Sequence, residues 1–223
     1  MDDEAYYGTL RDRMVSEQIV GRGIRDERLL EALRSVPRHW FVPEEYANIA
    51  YSDGPLPIGT GQTISQPYIV ALMTELLELE GDENVLEVGT GSGYQAVLLG
   101  KLARQVHTIE RHATLAERAE QILRRLGLTN VLVHLGDGSQ GLPRYAPFQA
   151  IIVTAAAPYV PQPLCDQLDE GGRLVIPEGG AGGQMLNRWR KQQGEFHVEH
   201  VTPVAFVPLR GQHGWKEENW GFY

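Results

Sequence analysis

The segment Asn84-Val85-Leu86-Glu87-Val88-Gly89-Thr90-Gly91-Ser92-Gly93 joins a short apolar run to three closely spaced glycines. The run has the length and β-branched content of a buried strand, and the glycines indicate a loop immediately after it. Apolar residues then recur at helical spacing from Tyr94 to Leu102. The segment therefore predicts a strand, a glycine loop and a helix, the unit from which parallel α/β sheets are built.

Similar units follow along the chain. A second strand is predicted at Gln105–Glu110, followed by a helical stripe that ends at Gly127. Further strands are predicted at Asn130–Leu135, Ala150–Val153 and Arg173–Ile176, the last after a Gly171-Gly172 turn. Strands that alternate with helices favour right-handed crossovers, so we expect an α/β fold with a doubly wound, mostly parallel sheet.

The two ends of the chain differ from this central pattern. Helices are predicted within residues 9–36, where Asp26 is a candidate N-cap, and again over Ile69–Leu77 after Pro67. The stretch between Pro37 and Pro67 has no sustained period. After Pro177 we expect a flexible loop over 178–183, a hairpin turn at Gln193-Gly194, and an antiparallel pair that closes the edge of the sheet.

Composition excludes several classes of protein. The 223 residues are 42% hydrophobic and 22% charged, as in soluble globular domains, and the net charge of −9 argues against binding to nucleic acid or anionic lipid. The single cysteine, Cys165, cannot form an intramolecular disulfide. With an acidic N-terminus and no long apolar run, neither a signal peptide nor a membrane span is expected, and we expect a cytoplasmic protein.

The glycine loop predicts a cofactor site. Glycines let a ligand approach the backbone closely, and the free N–H groups of the following helix favour a carboxylate or phosphate. The spacing is G-x-G-x-G, and Glu87 at the strand end would repel a pyrophosphate but attract an ammonium group, directly or through water. These features favour S-adenosylmethionine over a dinucleotide.

Two more acids follow strand ends at the same edge. Glu110 is placed to accept the ribose hydroxyls, and Asp137 is suited to accept the adenine amine. Taken singly, the loop could be a tight turn, Glu110 a solvated strand end and Asp137 an Asx-turn residue. The expected cofactor contacts are Glu87, Gly89, Thr90, Gly91, Ser92, Gly93, Glu110, Asp137 and Gly138.

The chain also resembles the protein-L-isoaspartate O-methyltransferases, within the class I S-adenosylmethionine-dependent superfamily. The resemblance covers residues 10–209. Its most specific motif is Gln62-Thr63-Ile64-Ser65-Gln66-Pro67, preceded by Leu56–Gly59. The other matching segments are Val85–Tyr94, Gly136–Gly138, Ala146–Phe148, Ala150–Ala156, Gln167–Gly172 and Phe206–Leu209.

This resemblance implies a seven-stranded Rossmann-like fold and methyl transfer from S-adenosylmethionine, leaving S-adenosylhomocysteine. The acceptor would be the free α-carboxylate of an L-isoaspartyl residue in a damaged protein or peptide, and the ester would then close to a succinimide. Ser65 is the implied catalytic residue, with Thr63 as its helper. The implied substrate-binding residues are Gln62, Ile64, Val207, Pro208 and Leu209.

An α-carboxylate with a pKa of about 3.5 is already ionised at neutral pH, so no general base and no metal are expected. A neutral serine suits such a nucleophile, because a cation would stabilise the ground state and reduce its reactivity. Ser65 could instead be only a helix cap ahead of Pro67.

Four alternative functions remain at this point. A small-molecule O-methyltransferase could use the same cofactor loop, but a neutral hydroxyl nucleophile usually needs a base or metal. A nucleic-acid amino-methyltransferase should carry an Asp/Asn-Pro-Pro-aromatic motif where this chain has Thr154-Ala155-Ala156. An NAD-dependent oxidoreductase disagrees with the glycine spacing. A cofactor-binding protein without catalytic activity is the fourth.

The expected organisation is one monomeric methyltransferase domain over residues 1–223. Residues 9–80 would hold the N-terminal helices and substrate loop, 82–177 the cofactor-binding core, and 178–223 the antiparallel edge and tail. Residues 210–215 match no pattern. The seven histidines are expected to be ordinary surface or core residues.

Overall fold

The computed structural model describes residues 3–216 and residue 220. Its strands are β1 (Leu56–Gly59), β2 (Gln62–Ile64), β3 (Asn84–Val88), β4 (Gln105–Glu110), β5 (Val131–Leu135), β6 (Phe148–Val153), β7 (Leu168–Gly180), β8 (Gly183–Gln192) and β9 (Glu195–Val204). Its α-helices are α1 (Asp3–Arg13), α2 (Glu27–Ser35), α3 (Pro67–Glu75), α4 (Tyr94–Leu102), α5 (Ala113–Arg125) and α6 (Gln162–Gln167). Among these described residues, no helix is long and apolar enough to cross a bilayer.

Seven strands form one sheet in the order β5-β4-β3-β6-β7-β8-β9. The pairs from β5 to β7 are parallel, and β7, β8 and β9 pair antiparallel. The expected mostly parallel sheet with an antiparallel edge is therefore confirmed. The strand order reverses between β3 and β6, and in open α/β sheets ligands bind outside the carboxyl ends of the strands at such a point.

The central strands are buried on both faces, with alternate residues in two apolar clusters. In β3, Val85 packs with the N-terminal helices, whereas Leu86 and Val88 pack on the opposite face. In β6, Ile152 packs on the same face as Val85, and Ile151 packs on the opposite face. Because side chains alternate across a strand, Glu87 lies on the same face as Val85. This alternation places a carboxyl group inside the molecule.

The antiparallel edge corrects one prediction. The expected flexible loop over 178–183 is largely strand, since Gly179 pairs with Gln184 and Gly180 with Gly183. The expected turn at Gly171-Gly172 also lies inside β7. Glycines provide no side-chain pattern, yet their backbone groups still pair across the hairpin. The predicted Gln193-Gly194 turn does join β8 to β9, and both residues have positive φ, as two-residue hairpins require.

A short hairpin occupies part of the stretch predicted to be irregular. Leu56 pairs with Ile64 and Pro57 with Thr63, which joins β1 to β2 through a turn at Gly59, Thr60 and Gly61. All three turn residues have positive φ. The strands contain four and three residues, too few to show a period in the sequence. The hairpin presents the segment Gln62–Ser65 next to the start of α3.

Asp26 caps α2 as predicted. Its carboxylate accepts hydrogen bonds from the backbone N–H groups of Arg28 at 2.9 Å and Leu29 at 3.2 Å. The helix then buries Leu29, Leu30 and Leu33 in the core shared with the other N-terminal helices. The cap therefore fixes where the helix begins, and the apolar stripe fixes which face it buries.

Replacing this cap should destabilise the fold. We expect Asp26→Ala to lower the free energy of unfolding by about 1 kcal/mol, because two backbone N–H groups lose their acceptor. Asp26→Asn keeps an oxygen acceptor and should lose much less. Urea denaturation of the three proteins measures the difference, and equal losses in Ala and Asn would contradict the capping role.

Candidate active site

A cavity lies at the carboxyl ends of β3, β4 and β6, at the reversal of strand order. The glycine loop, the start of α4 and the residues after β4 line one side, and Gln62–Ser65 and Val207–Arg210 line the other. The predicted residues that line it are Gln62, Thr63, Ile64, Ser65, Gly89, Thr90, Gly91, Ser92, Glu110, Gly138, Val207, Pro208 and Leu209. Glu87, Gly93 and Asp137 are not among its lining residues. The structure thus brings together most of the residues expected to bind cofactor and substrate.

The glycine loop is held against the end of β6 by Thr154. The Thr154 hydroxyl donates to the Gly89 carbonyl at 2.6 Å and lies 3.1 Å from that of Val88. Gly89 has φ +97°, and a Cβ placed there would lie 2.4 Å from the Thr154 hydroxyl oxygen. Glycine is therefore required at this position for both the backbone conformation and the close approach. Sequence reasoning did not assign Thr154 to the site, although it directly follows a predicted buried strand.

Glu110 is held in place by the backbone around it. Its carboxylate accepts hydrogen bonds from the N–H groups of Gly91 at 2.9 Å, Arg111 at 2.8 Å and His112 at 2.9 Å. Each carboxylate oxygen can accept more than one hydrogen bond, so the group can still receive ribose hydroxyls. The side chain is buried yet borders the cavity. Its alternative interpretation as a solvated strand end does not fit this burial.

Glu87 lies in the wall behind the cavity. It is 0% exposed, and neither carboxyl oxygen has a hydrogen-bond partner among the described residues. Burial raises the pKa of Glu87 to about 8, the neighbouring Thr108 hydroxyl acts against this rise, and the negative charge of Glu110 adds a smaller increase. The carboxyl group is therefore protonated at neutral pH in this structure. Its predicted attraction for an ammonium group remains a prediction.

Asp137 contacts the tail of the chain. Its carboxylate accepts hydrogen bonds from the backbone N–H groups of Ser139 at 2.9 Å and Gln212 at 2.7 Å, and from the Ser139 hydroxyl at 2.7 Å. Partial burial acts to raise the pKa of Asp137, but these hydrogen bonds hold it below the ordinary value. The Asx-turn interpretation describes this local geometry. The predicted adenine contact stays a prediction, and the neighbouring Gly138 borders the cavity.

A second cavity adjoins the first on the side of the β1–β2 hairpin. It is lined by Pro55, Gln66 and Ile69 on one side and by residues 203–207 on the other. Four residues border both cavities: Thr63, Ser65, Thr154 and Val207. The two cavities therefore meet at a wall that contains two of the predicted substrate-site hydroxyls.

Ser65 does not cap α3. The N-cap residue is Gln66, and its side chain forms no capping hydrogen bond. The half-buried Ser65 instead borders both cavities, and its backbone carbonyl accepts a hydrogen bond from Arg38 at 2.7 Å. The helix-cap alternative for Ser65 is therefore wrong.

Sequence reasoning also missed cavity residues that directly follow a predicted strand end or substrate segment. They are Arg111, His112 and Arg210.

His107 and His134 lie elsewhere and contact each other, with ring nitrogens 3.1 Å apart. Within residues 3–216 and residue 220, no group of three or more His, Cys, Asp or Glu side chains is placed to hold a metal ion.

Comparison with known proteins identifies the family. The model of the protein-L-isoaspartate(D-aspartate) O-methyltransferase family matches residues 10–214. A protein-L-isoaspartate O-methyltransferase of Trichlorobacter lovleyi is 58% identical over 207 residues, which cover 92% of this chain and 95% of that protein.

Two solved structures share the fold. A protein-L-isoaspartate O-methyltransferase superposes with a TM-score of 0.82 at 28% identity, covering 92% of this chain and 67% of that one. A β-aspartate methyltransferase from Plasmodium falciparum, in complex with S-adenosyl-L-homocysteine, gives a TM-score of 0.78 at 27% identity and covers 90% of this chain and 98% of that one.

The fold and the glycine-loop cavity define an S-adenosylmethionine-dependent methyltransferase. The chain belongs to the protein-L-isoaspartate(D-aspartate) O-methyltransferase family. The family, the fold class, the enzyme class and the isoaspartyl substrate expected from the sequence are thereby confirmed.

The close contact at Gly89 predicts a selective loss of cofactor affinity. We expect Gly89→Ala to weaken binding of S-adenosylhomocysteine at least tenfold, because the methyl group would displace Thr154 and the loop. At Gly91 a Cβ would meet only the Ile58 methyl group at 3.6 Å, so Gly91→Ala should weaken binding less. Isothermal titration calorimetry measures both affinities. The reverse order would show that the Gly89–Thr154 contact does not shape the site.

The buried carboxyl of Glu87 predicts a pH-dependent change in stability. Its folded pKa of about 8 lies above the ordinary 4.5, so the folded state binds more protons between these values and loses stability as pH rises through that range. We therefore expect the free energy of unfolding of Glu87→Gln, relative to that of the wild type, to increase from about pH 5 to about pH 8. Above about pH 8 this difference should stay constant. Denaturation midpoints of the cofactor-free proteins measure this, with exposed Glu44→Gln as a control for removal of a carboxyl. A pH-independent difference would contradict it.

Proposed function

We propose that Ser65 and Thr63 hold the free α-carboxylate of an L-isoaspartyl residue at the wall between the two cavities, where it accepts the methyl group of S-adenosylmethionine. The resulting ester then closes to a succinimide, whose hydrolysis returns some normal aspartate. One observation carries this assignment: Thr63 and Ser65 border both cavities at once. Residues at such a wall can contact donor and acceptor together.

The residues of the first cavity fit the cofactor. Gly89 and Gly91 leave the loop backbone open to close approach, Glu110 offers carboxylate oxygens to ribose hydroxyls, and Gly138 borders the place expected for adenine. Thr90 and Ser92 complete the loop side of the cavity. When bound, S-adenosylmethionine supplies a methyl group activated by its sulfonium. The other expected cofactor contacts are Glu87, Gly93 and Asp137, which are not among the lining residues of this cavity.

The hydroxyl groups orient the acceptor without neutralising it. An α-carboxylate with a pKa of about 3.5 is ionised at neutral pH, so the site has no proton to remove. Hydrogen bonds from Ser65 and Thr63 can fix one oxygen and leave the other for attack. A neutral donor weakens the nucleophile less than a cation in contact with it would. The chain therefore contributes position and exclusion of water rather than acid–base chemistry.

The peptide around the isoaspartyl residue is assigned to the second cavity. Val207 borders both cavities, and its backbone carbonyl accepts the N–H of Ala156 at 2.8 Å, which anchors this segment to the end of β6. An extended peptide can lie against residues 203–209 and the hairpin segment that carries Gln62 and Ile64. Pro208 and Leu209 would then border the acceptor from the cofactor side.

We propose a metal-free, monomeric, cytoplasmic enzyme whose partners are isoaspartyl-containing proteins and peptides, without nucleic acid or membrane. The net charge of −9 supports the last point. The three parts at 9–80, 82–177 and 178–223 are proposed to act as one domain, since apolar residues of the first two pack in a common core with Leu186 of the third.

Matched peptides test the substrate. A peptide with L-isoaspartate and the same peptide with L-aspartate are incubated with methyl-labelled donor, and base-labile methanol is measured. Transfer to the isoaspartyl peptide alone is expected. Transfer to small phenols or alcohols in preference to the peptide would favour a small-molecule O-methyltransferase, and donor binding without transfer would indicate a binding protein.

Substitution of Ser65 tests its role. We expect Ser65→Ala to lower kcat about tenfold to a hundredfold, because a hydrogen bond to a charged group contributes about 1.5–3 kcal/mol. Affinity for S-adenosylhomocysteine should stay within about twofold of wild type. Ser16→Ala, at an exposed serine of the N-terminal helical region, serves as the matched control. Unchanged turnover in Ser65→Ala would remove this residue from the mechanism.

A further inference from the structure

We propose that Arg38 is a positioning residue that sets the placement of Ser65 relative to the cofactor loop. The inference rests on the proposed role of Ser65. Arg38 lies in a 3₁₀ segment, Arg38–Phe41, that follows α2, and it is the largest fully buried side chain in the described structure. Nothing in the sequence analysis assigned it a function.

The guanidinium braces two backbone carbonyls from separate parts of the chain. Its Nε donates to the Ala50 carbonyl at 2.7 Å, and its Nη2 donates to the Ser65 carbonyl at 2.7 Å. A guanidinium is planar and its donors have fixed relative directions, so one carbonyl is located by reference to the other. Arg38 thereby fixes the backbone of Ser65, a residue that borders both cavities.

The same guanidinium also contacts the helix that follows the glycine loop. Its central carbon lies 4.8 Å from the centre of the Tyr94 ring. Tyr94 is the first residue of α4, directly after the glycine loop, and it borders the first cavity. A single side chain thus contacts both the segment that carries Ser65 and the helix that follows the loop. This contact sets the distance between the segment that carries Ser65 and the start of α4.

If Arg38 only filled the core, an apolar side chain could do so without the free-energy cost of burying a cation. None of the ion pairs found among the described residues includes Arg38, and its Nη1 has no hydrogen-bond partner there. Burial of a cation without a carboxylate partner is unfavourable, and burial lowers the pKa of Arg38 against the smaller opposing effects of Tyr94 and Tyr51. Such a cost is expected where geometry near a reacting group matters, since small displacements of a positioned group can reduce rates about a hundredfold.

The test is Arg38→Lys. Lysine keeps a cation near the Tyr94 ring but loses the forked donor pair, so the Ser65 carbonyl is no longer fixed relative to that of Ala50. We expect kcat to fall by about tenfold or more, while the affinity for S-adenosylhomocysteine stays within about twofold of wild type. Arg28→Lys is the matched control, because Arg28 also braces two carbonyls, of Leu79 and Leu102, away from the site. Its kcat should match that of the wild type.

A double-mutant cycle with Ser65→Ala separates positioning from general structural damage. If Arg38 acts through Ser65, the double variant should be no slower than the slower single variant, because the oriented hydroxyl is already absent. Multiplicative losses would overturn the inference, and so would an unchanged kcat in Arg38→Lys. Loss of S-adenosylhomocysteine binding or of the folded state in Arg38→Lys would also overturn it, because either would show a structural role. An unchanged kcat in Ser65→Ala alone would instead refute the proposed role of Ser65.

Discussion

The hydrogen bond from the Thr154 hydroxyl to the Gly89 carbonyl joins the two strands between which the order of the sheet reverses. The reversal opens a crevice, because crossover helices leave from β3 and β6 on opposite sides. The Thr154 backbone N–H also donates to the Val88 carbonyl at 2.9 Å, so this one residue holds the start of the glycine loop against the end of β6 by two groups. Thr154 also borders both cavities, so the residue that anchors the cofactor loop reaches the wall where methyl transfer is proposed.

The two halves of the site come from parts of the chain that fold by different rules. The cofactor half is built on buried parallel strands, whose loops all emerge at one edge. The substrate half is a short two-stranded hairpin and the start of a helix, which lie outside the seven-stranded sheet and are held by side chains such as Arg38. Position in the first half follows from topology, and position in the second follows from individual hydrogen bonds.

The sequence predicted the parallel core well because buried strands and amphipathic helices have distinct apolar periods. Asn84–Val88 and Gln105–Glu110 were predicted residue for residue. The glycines at 179–183 had no period, so an extended hairpin was expected to be a loop. In the candidate site, sequence motifs pointed to Ser65 and Glu110 but not to Thr154 or Arg38. Thr154 acts through a hydrogen bond between distant parts of the chain, which no local pattern shows. Arg38 is fully buried, whereas an arginine in a sequence is normally expected at the surface.

The tail beyond β9 forms a small closed loop at the rim of the first cavity. Trp215 donates its backbone N–H to the Leu209 carbonyl at 2.8 Å, so the base of the loop is shut. The tip is attached at Gln212 and His213, whose N–H groups donate to the Asp137 carboxylate at 2.7 Å and to the Ser139 hydroxyl at 3.0 Å. One bond to a carboxylate and one to a neutral hydroxyl together contribute about 2–4.5 kcal/mol, within the range of local opening events in native proteins. The nucleoside end of a ligand could therefore enter or leave past this tip while the sheet and the base of the loop stay intact.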